Sequence, residues 1–285
     1  NAAAAVRQDE STPEAAPAAD PAASEAFASL VEDYEAFQRE NSLSRRARDG
    51  DLDAMSQWPD VSAEHQAEET AQEAAFLERL ETIDRDGLDR NDRVSYDVLD
   101  YSLRFSVELA PFDTARTPFL NDSGFFTAPT YAAASTRPRN AEQGEAWIAR
   151  LRNLPDYFQA NIDWMNRGLE DGFTQPRLIA ELAASQIEAL ADANTLTGIL
   201  IAPVDALPAG MPQAERDRLR AETEAAIAEA ALPAYENLLA YFRDTYIPQT
   251  RESLGISDVP QGREYYQTLV RYHTTLDTSP EEVHQ

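Results

Sequence analysis

From residue 24 onward the apolar side chains recur at the spacing of an α-helix, and this periodicity constrains the fold more than any other feature. Phe27, Leu30, Val31, Tyr34 and Phe37 fall at i, i+3, i+4, i+7 and i+10, behind a Ser24 placed to cap them. That spacing puts all five on one helical face. A second run starts near Ser62, carries Phe76, Leu77, Leu80 and Ile83, and ends around Asp86-Gly87. A third opens on Asn91 as cap, sets Val94, Val98, Tyr101 and Phe105 along one stripe, and stops at Pro111. The pattern returns with Trp147, Leu151, Leu154 and Phe158, where Pro155 predicts a kink or a restart. It continues through Ile162, Trp164, Met165 and Leu169 to a stop at Gly172. Pro176 is placed to open the next helix, with Leu178, Leu182, Ile187 and Leu190 behind it.

Two stretches break the rhythm. Residues 111–139 hold Pro111, Pro118, Pro129 and Pro138 and the pair Phe125-Phe126, and predict a long ordered loop or a small irregular layer. Residues 196–212 read as an apolar connection in which Ile199-Leu200-Ile201 is the best strand candidate. The longest helical pattern runs from about Gln213 to Ser253, interrupted by Pro233. Beyond it, residues 255–262 read as a turn region and Tyr265 through Tyr272 as a short aromatic helix. The expected fold is therefore all-α, an irregular array of about eight to ten helices with long Pro-containing loops and little or no β-strand.

Composition narrows function mostly by exclusion. The 285 residues carry a net charge of −27, and all 24 basic residues are Arg. A phosphate backbone selects for a basic surface, so nucleic acid is not an expected partner. With no Cys, thiolate metal sites and cysteine nucleophiles are absent. No apolar run approaches the ~20 residues needed to span a bilayer, so direct membrane insertion is not expected. Residues 1–24 are rich in Ala, Pro and acid, with one larger aliphatic, Val6. They read as a flexible linker that cannot offset its own ordering entropy, of the kind that follows a removed export signal or lipid anchor. Residues 25–285 form the helical portion.

Chemistry-bearing patterns are sparse. The histidines are His65, His273 and His284. Glu281-x-x-His284 would place two ligands on one helix face, but a carboxylate-bridged di-metal bundle needs that unit twice and it occurs once. Capping and first-turn polarity account for it better. His65, among Glu64, Glu68 and Glu69, reads as part of a solvated face. No phosphate loop, nucleophile elbow or H-E-x-x-H is present. The Asn121-Asp122-Ser123-Gly124 turn lacks the spaced acids of a calcium loop. The best candidate for a binding surface is the cluster Tyr265, Tyr266, Arg271, Tyr272 and His273, which would line a cleft or pack as core. No catalytic or metal-ligating residue is assigned.

The final stretch carries Ser279, Pro280 and Glu282 as N-cap, first helical residue and capping-box partner. A helix that starts so clearly and stops within two turns is expected to be the front of a longer one, hence of a longer protein.

Several motifs in order give a resemblance. Arg79-Leu80-x-x-Ile83-Asp84 precedes Leu88-x-x-Asn91-Asp92-x-x-x-Tyr96-Asp97, followed by Phe119 to Phe126 and Gly168-Leu169-x-x-Gly172-Phe173-Thr174-x-Pro176. Gly262-x-x-Tyr265-Tyr266, Arg271-Tyr272-His273-Thr274-Thr275 and Ser279 to His284 complete the set. Over about residues 27–285 the chain resembles the front of the bacterial domain of unknown function 885 family. The resemblance implies a mostly helical protein about twice this length. It also implies export to the periplasm or lipid anchoring at the envelope, and a zinc-metallopeptidase-like second half with an H-E-x-x-G-H-H-like helix. In such a site a metal-polarised water attacks a peptide carbonyl with a Glu as base.

That helix has no counterpart here, so no cofactor is expected in this chain, zinc is expected in the full-length protein, and this chain alone is expected to be inactive. The implied partners are the missing C-terminal half and a peptide substrate. On this reading the chain is the non-catalytic wall of a substrate cleft. The alternative is a free-standing acidic helical scaffold or binding module with no enzymatic role.

Overall fold

The computed structural model describes residues 19–283. The fold is all-α: among the described residues the only β pairing is two isolated bridges, Phe119 with Gly124 and Pro176 with Arg251. The helices are α1 (Pro21–Asn41), α2 (Leu43–Asp49), α3 (Leu52–Ser56), α4 (Ala63–Glu81), α5 (Arg90–Leu109), α6 (Ala128–Ser135), α7 (Ala141–Arg152) and α8 (Leu154–Asp171). They continue with α9 (Arg177–Leu190), α10 (Ala193–Leu200), α11 (Ala202–Asp205), α12 (Gln213–Ala226), α13 (Leu232–Tyr241), α14 (Ile247–Gln249), α15 (Gly262–Thr274) and α16 (Pro280–Val283). None is long and apolar enough to cross a membrane.

Two apolar cores organise them. A small front layer of α1, α4 and α5 buries Phe27, Leu30, Leu80 and Leu103, with the Tyr34 and Phe76 rings edge-on at 5.3 Å. The larger body is built from α3 and α6 to α14 around Trp147, Phe158, Tyr235, Phe242 and Tyr246. Polar tips inside the body find partners: Trp147 Nε1 donates to the Leu200 carbonyl at 3.0 Å, and the Tyr235 hydroxyl to that of Phe126 at 2.6 Å. Such pairing is what allows an indole or a phenol to be buried.

Several local expectations are corrected. The first helix begins at Pro21 rather than after Ser24, because Asp20 accepts the Ala22 amide at 3.0 Å and proline suits the first turn. Residues 21–24, expected as linker, are thus helical, and residues 1–18 lie outside the described ones. The third helix is capped by Asp89, which accepts from the amides of Asn91 and Asp92, rather than by Asn91. Its inward face is Tyr96, Leu99 and Leu103, whereas Val94 and Val98 are 59% and 61% exposed.

Ile199-Leu200-Ile201 is not a strand. Asp192 caps α10, whose Leu196 and Leu200 are fully buried one turn apart, a placement that a short apolar run does not distinguish from a strand. The irregular stretch 111–139 contains α6 and short 3₁₀ turns.

Pro233 does not break the long helix. A π-helical turn spans Ile227–Ala231 just before Pro233, and a second spans Phe242–Tyr246 just before Pro248. The widened turn takes the carbonyl that would meet each proline ring out of the i−4 ladder. At Asn153 the chain does restart: α8 begins with Leu154 and Pro155 in its first turn.

Candidate functional site

The predicted aromatic cluster lies on α15. The helix starts at Gly262, where a Cβ would sit 1.8 Å from the Ile256 carbonyl oxygen. Glycine there lets the turn at Ile256–Asp258 fold directly under the helix start. Tyr265 points inward, its ring 5.4 Å from Phe112 and 6.1 Å from Phe173, and burial pushes its hydroxyl pKa up. Tyr272 points to α5, stacked at 3.6 Å on Phe105 and 5.6 Å on Tyr101, whose hydroxyl donates to the Tyr272 carbonyl. Arg271 pairs with Glu108 at 2.7 Å, while its Nε is buried without an acceptor. His273 is exposed, edge-on to Tyr272 at 5.0 Å, and Tyr266 is half-buried.

These five residues do not converge. Arg271 and Tyr272 line a groove of about 220 Å³ between α5 and α15, with Tyr101, Phe105 and Leu276. Tyr265, Tyr266 and His273 are not part of its lining. The groove continues the outward stripe of α5, because Val94, Val98, Tyr101 and Phe105 share a face and Tyr272 covers its end.

A wider cleft of about 840 Å³ separates the front layer from the body. Phe37 of α1, Thr70 and Glu73 of α4, and Ser106 of α5 face Trp164 and Arg167 of α8 across it. Several of its polar groups pair with one another. The Ser106 hydroxyl donates to Glu73, and Arg167 lies 4.2 Å over the Trp164 ring and 3.1 Å from Asp113. No histidine lines it.

Zinc fits nothing here: among the described residues no three His, Cys, Asp or Glu side chains gather as a metal site. No chemical step through a metal is derived from this chain. His65 lies 3.7 Å from Glu69 on the α4 surface, and the Glu281-x-x-His284 pairing falls on a residue outside the described ones. The turn at 121–124 closes a tight loop, with the Leu120 amide donating to the Ser123 carbonyl at 2.7 Å. Its Gly124 holds φ +144°, where a Cβ would meet the Phe119 backbone at 2.6 Å. Sequence reading passed over Arg48, Arg137, Arg139 and Arg150, which line another cleft of about 690 Å³. A signal was present: residues 123–141 contain no Asp or Glu in a chain that carries 51.

The motifs that carry the family resemblance hold the fold together. Arg85 grips Asp97 with two 2.6 Å bonds, Arg79 reaches Asp33 at 2.5 Å, and Tyr96 donates to the Leu80 carbonyl at 3.2 Å. Gly172 ends α8 in the left-handed conformation, and buried Thr174 accepts the Arg251 amide at 3.4 Å. At the chain's last described helix, the Ser279 amide donates to Glu282 at 2.8 Å and the Glu282 amide to Ser279 Oγ at 3.2 Å, closing the expected capping box.

No curated protein matches the chain. Among solved structures, "the putative lipoprotein from Colwellia psychrerythraea" superposes with a TM-score of 0.74 at 14% identity, covering 92% of this chain and 48% of that one. At that identity the likeness establishes the fold alone, and the chain spans about half the length of the protein it matches. The model of the family described as "Bacterial protein of unknown function (DUF885)" matches residues 7–285. The chain therefore belongs to the DUF885 family of bacterial proteins.

Proposed function

We propose that the chain is the non-catalytic front half of an exported or lipid-anchored, metallopeptidase-like protein, and that it forms one wall of a substrate cleft. The observation that carries this reading is the coverage: nearly all of this chain corresponds to under half of a solved relative in fold. That relative's description as a putative lipoprotein supports placement at the cell envelope. The outward stripe of α5, with Val94 and Val98 more than half exposed and Leu276 at 62%, is the natural seat for the second half. The cleft between the front layer and the body would then face the substrate. Zinc and its general base would be carried by the second half.

The test compares this chain with the full product of its gene, measuring zinc content and hydrolysis of a mixed peptide library. The reading predicts less than 0.1 zinc per molecule and no hydrolysis for this chain, and about one zinc with hydrolysis for the full product. Stoichiometric zinc with hydrolysis in the short chain would contradict it. A reading frame that ends at Gln285 would favour the free-standing scaffold instead.

A further inference from the structure

The cleft of about 690 Å³ lies where α2 and α3 approach α6 and α7, away from the α5 stripe. Four of its lining residues are charged, and all four are arginines: Arg48, Arg137, Arg139 and Arg150. No Asp or Glu lines it, although the chain has 51 acids to 24 arginines. None of the four is ion-paired with a described residue, whereas arginines elsewhere repeatedly are.

Arg150 is the unusual member. Its guanidinium lies 4.2 Å over the Trp58 ring, which is itself stacked on Tyr157 at 5.3 Å. The Trp58 indole donates to the Arg150 carbonyl at 2.8 Å, so ring and backbone are locked together. Nε of Arg150 is buried without an acceptor, and desolvation pushes the pKa of the side chain down to about 10. Arg116, the buried arginine among the described residues, is fully partnered by contrast. It bonds to the Phe112 and Asp113 carbonyls at 2.7 and 3.0 Å and to Asp171 at 2.9 Å, and lies 4.3 Å over Phe173. Arg150 has the stacking ring without the acceptors. A largely desolvated guanidinium whose Nε lacks an acceptor is unfavourable, and an oxyanion would supply both the counter-charge and the hydrogen-bond geometry.

The surroundings complete such a site. Arg137 is steadied by donating to the Thr136 carbonyl at 2.7 Å, and Arg139 follows it across Pro138 at the rim. Met55, Trp58 and Trp147 give an apolar floor, and Tyr131, 66% exposed, stands at the mouth.

We propose that this cleft binds a small amphipathic anion, an oxyanion group held by Arg150 and the rim arginines with a flat apolar body against Trp58 and Tyr131. The proposal is independent of the peptidase reading, since it concerns only residues of this chain and needs no second half.

The test is calorimetric titration of the intact chain, with Trp fluorescence in parallel, using N-acetyl-phenylalanine, its amide, and phenyl phosphate. One equivalent of an acid should bind, with the uncharged amide at least ten-fold weaker. The tighter of the two acids identifies the oxyanion as carboxylate or phosphate. Arg150→Gln should weaken binding at least ten-fold, and exposed Arg139→Ala several-fold with an unchanged Tm. Arg150→Gln relieves an Nε without an acceptor but gives up the stack on Trp58, so its Tm should change little. Equal binding of acid and amide, no binding of either acid at millimolar concentration, or unchanged binding by both variants would overturn the proposal.

Discussion

Gly168 of α8 lies so close to the chain before α9 that an added Cβ would come within 2.7 Å of the Phe173 carbonyl oxygen and 3.1 Å of that of Arg116. Both neighbours are backbone and neither yields cheaply, so Gly168→Ala should destabilise by about 1–3 kcal/mol, read by urea unfolding. Charge at helix starts gives a second prediction at this scale. The Thr195 amide bonded to Asp192 holds that carboxyl below its usual pKa. A lowered folded-state pKa adds stability above the unfolded pKa and loses it as pH falls through the folded one. Asp192→Ala should therefore lower Tm at pH 7, and the difference from wild type should shrink as pH falls below the usual carboxylate range. Residue identity alone did not reveal which cap is used. Asp20 and Ser24, or Asp89 and Asn91, are equally good cap types, and only the amide geometry chooses between them.

At the scale of elements, periodicity located the helices because each buries one stripe, and it failed where burial is decided by a distant neighbour. Val94 and Val98 repeat correctly yet face outward, since α5 turns Tyr96, Leu99 and Leu103 toward α1 and α4. Ile199 to Ile201 is helical because Leu196 and Leu200 both reach the body core. The front core is small, so a fully buried leucine there matters: Leu30→Ala should cost about 2–5 kcal/mol. Hydrogen exchange should then quicken in α1 and α4 while α7 to α13 stay protected. On α15, Tyr272→Ala removes the stack on Phe105 and should cost about 0.5–1.5 kcal/mol, with faster exchange confined to α15 and neighbouring α5.

For the molecule as a whole, the all-α class and the family were legible from helical spacing and ordered motifs. The candidate site was legible only in part. Arg271 and Tyr272 share a groove, but adjacent His273 is exposed because consecutive helical residues point about 100° apart. Tyr265, two turns earlier on the Tyr272 face, meets Phe112 and Phe173 instead of the groove. The arginine cleft was hidden for a different reason: its four cations come from two helices and a connector separated by about a hundred residues of chain. The proposed seating of a second half on α5 can be measured by hydrogen exchange on this chain and on the full product of its gene. Exchange along α5 at Val94 to Phe105, and around Tyr272 and Leu276, should be at least ten-fold slower in the full product, with α12 unchanged. Equal exchange along α5 in both would contradict it.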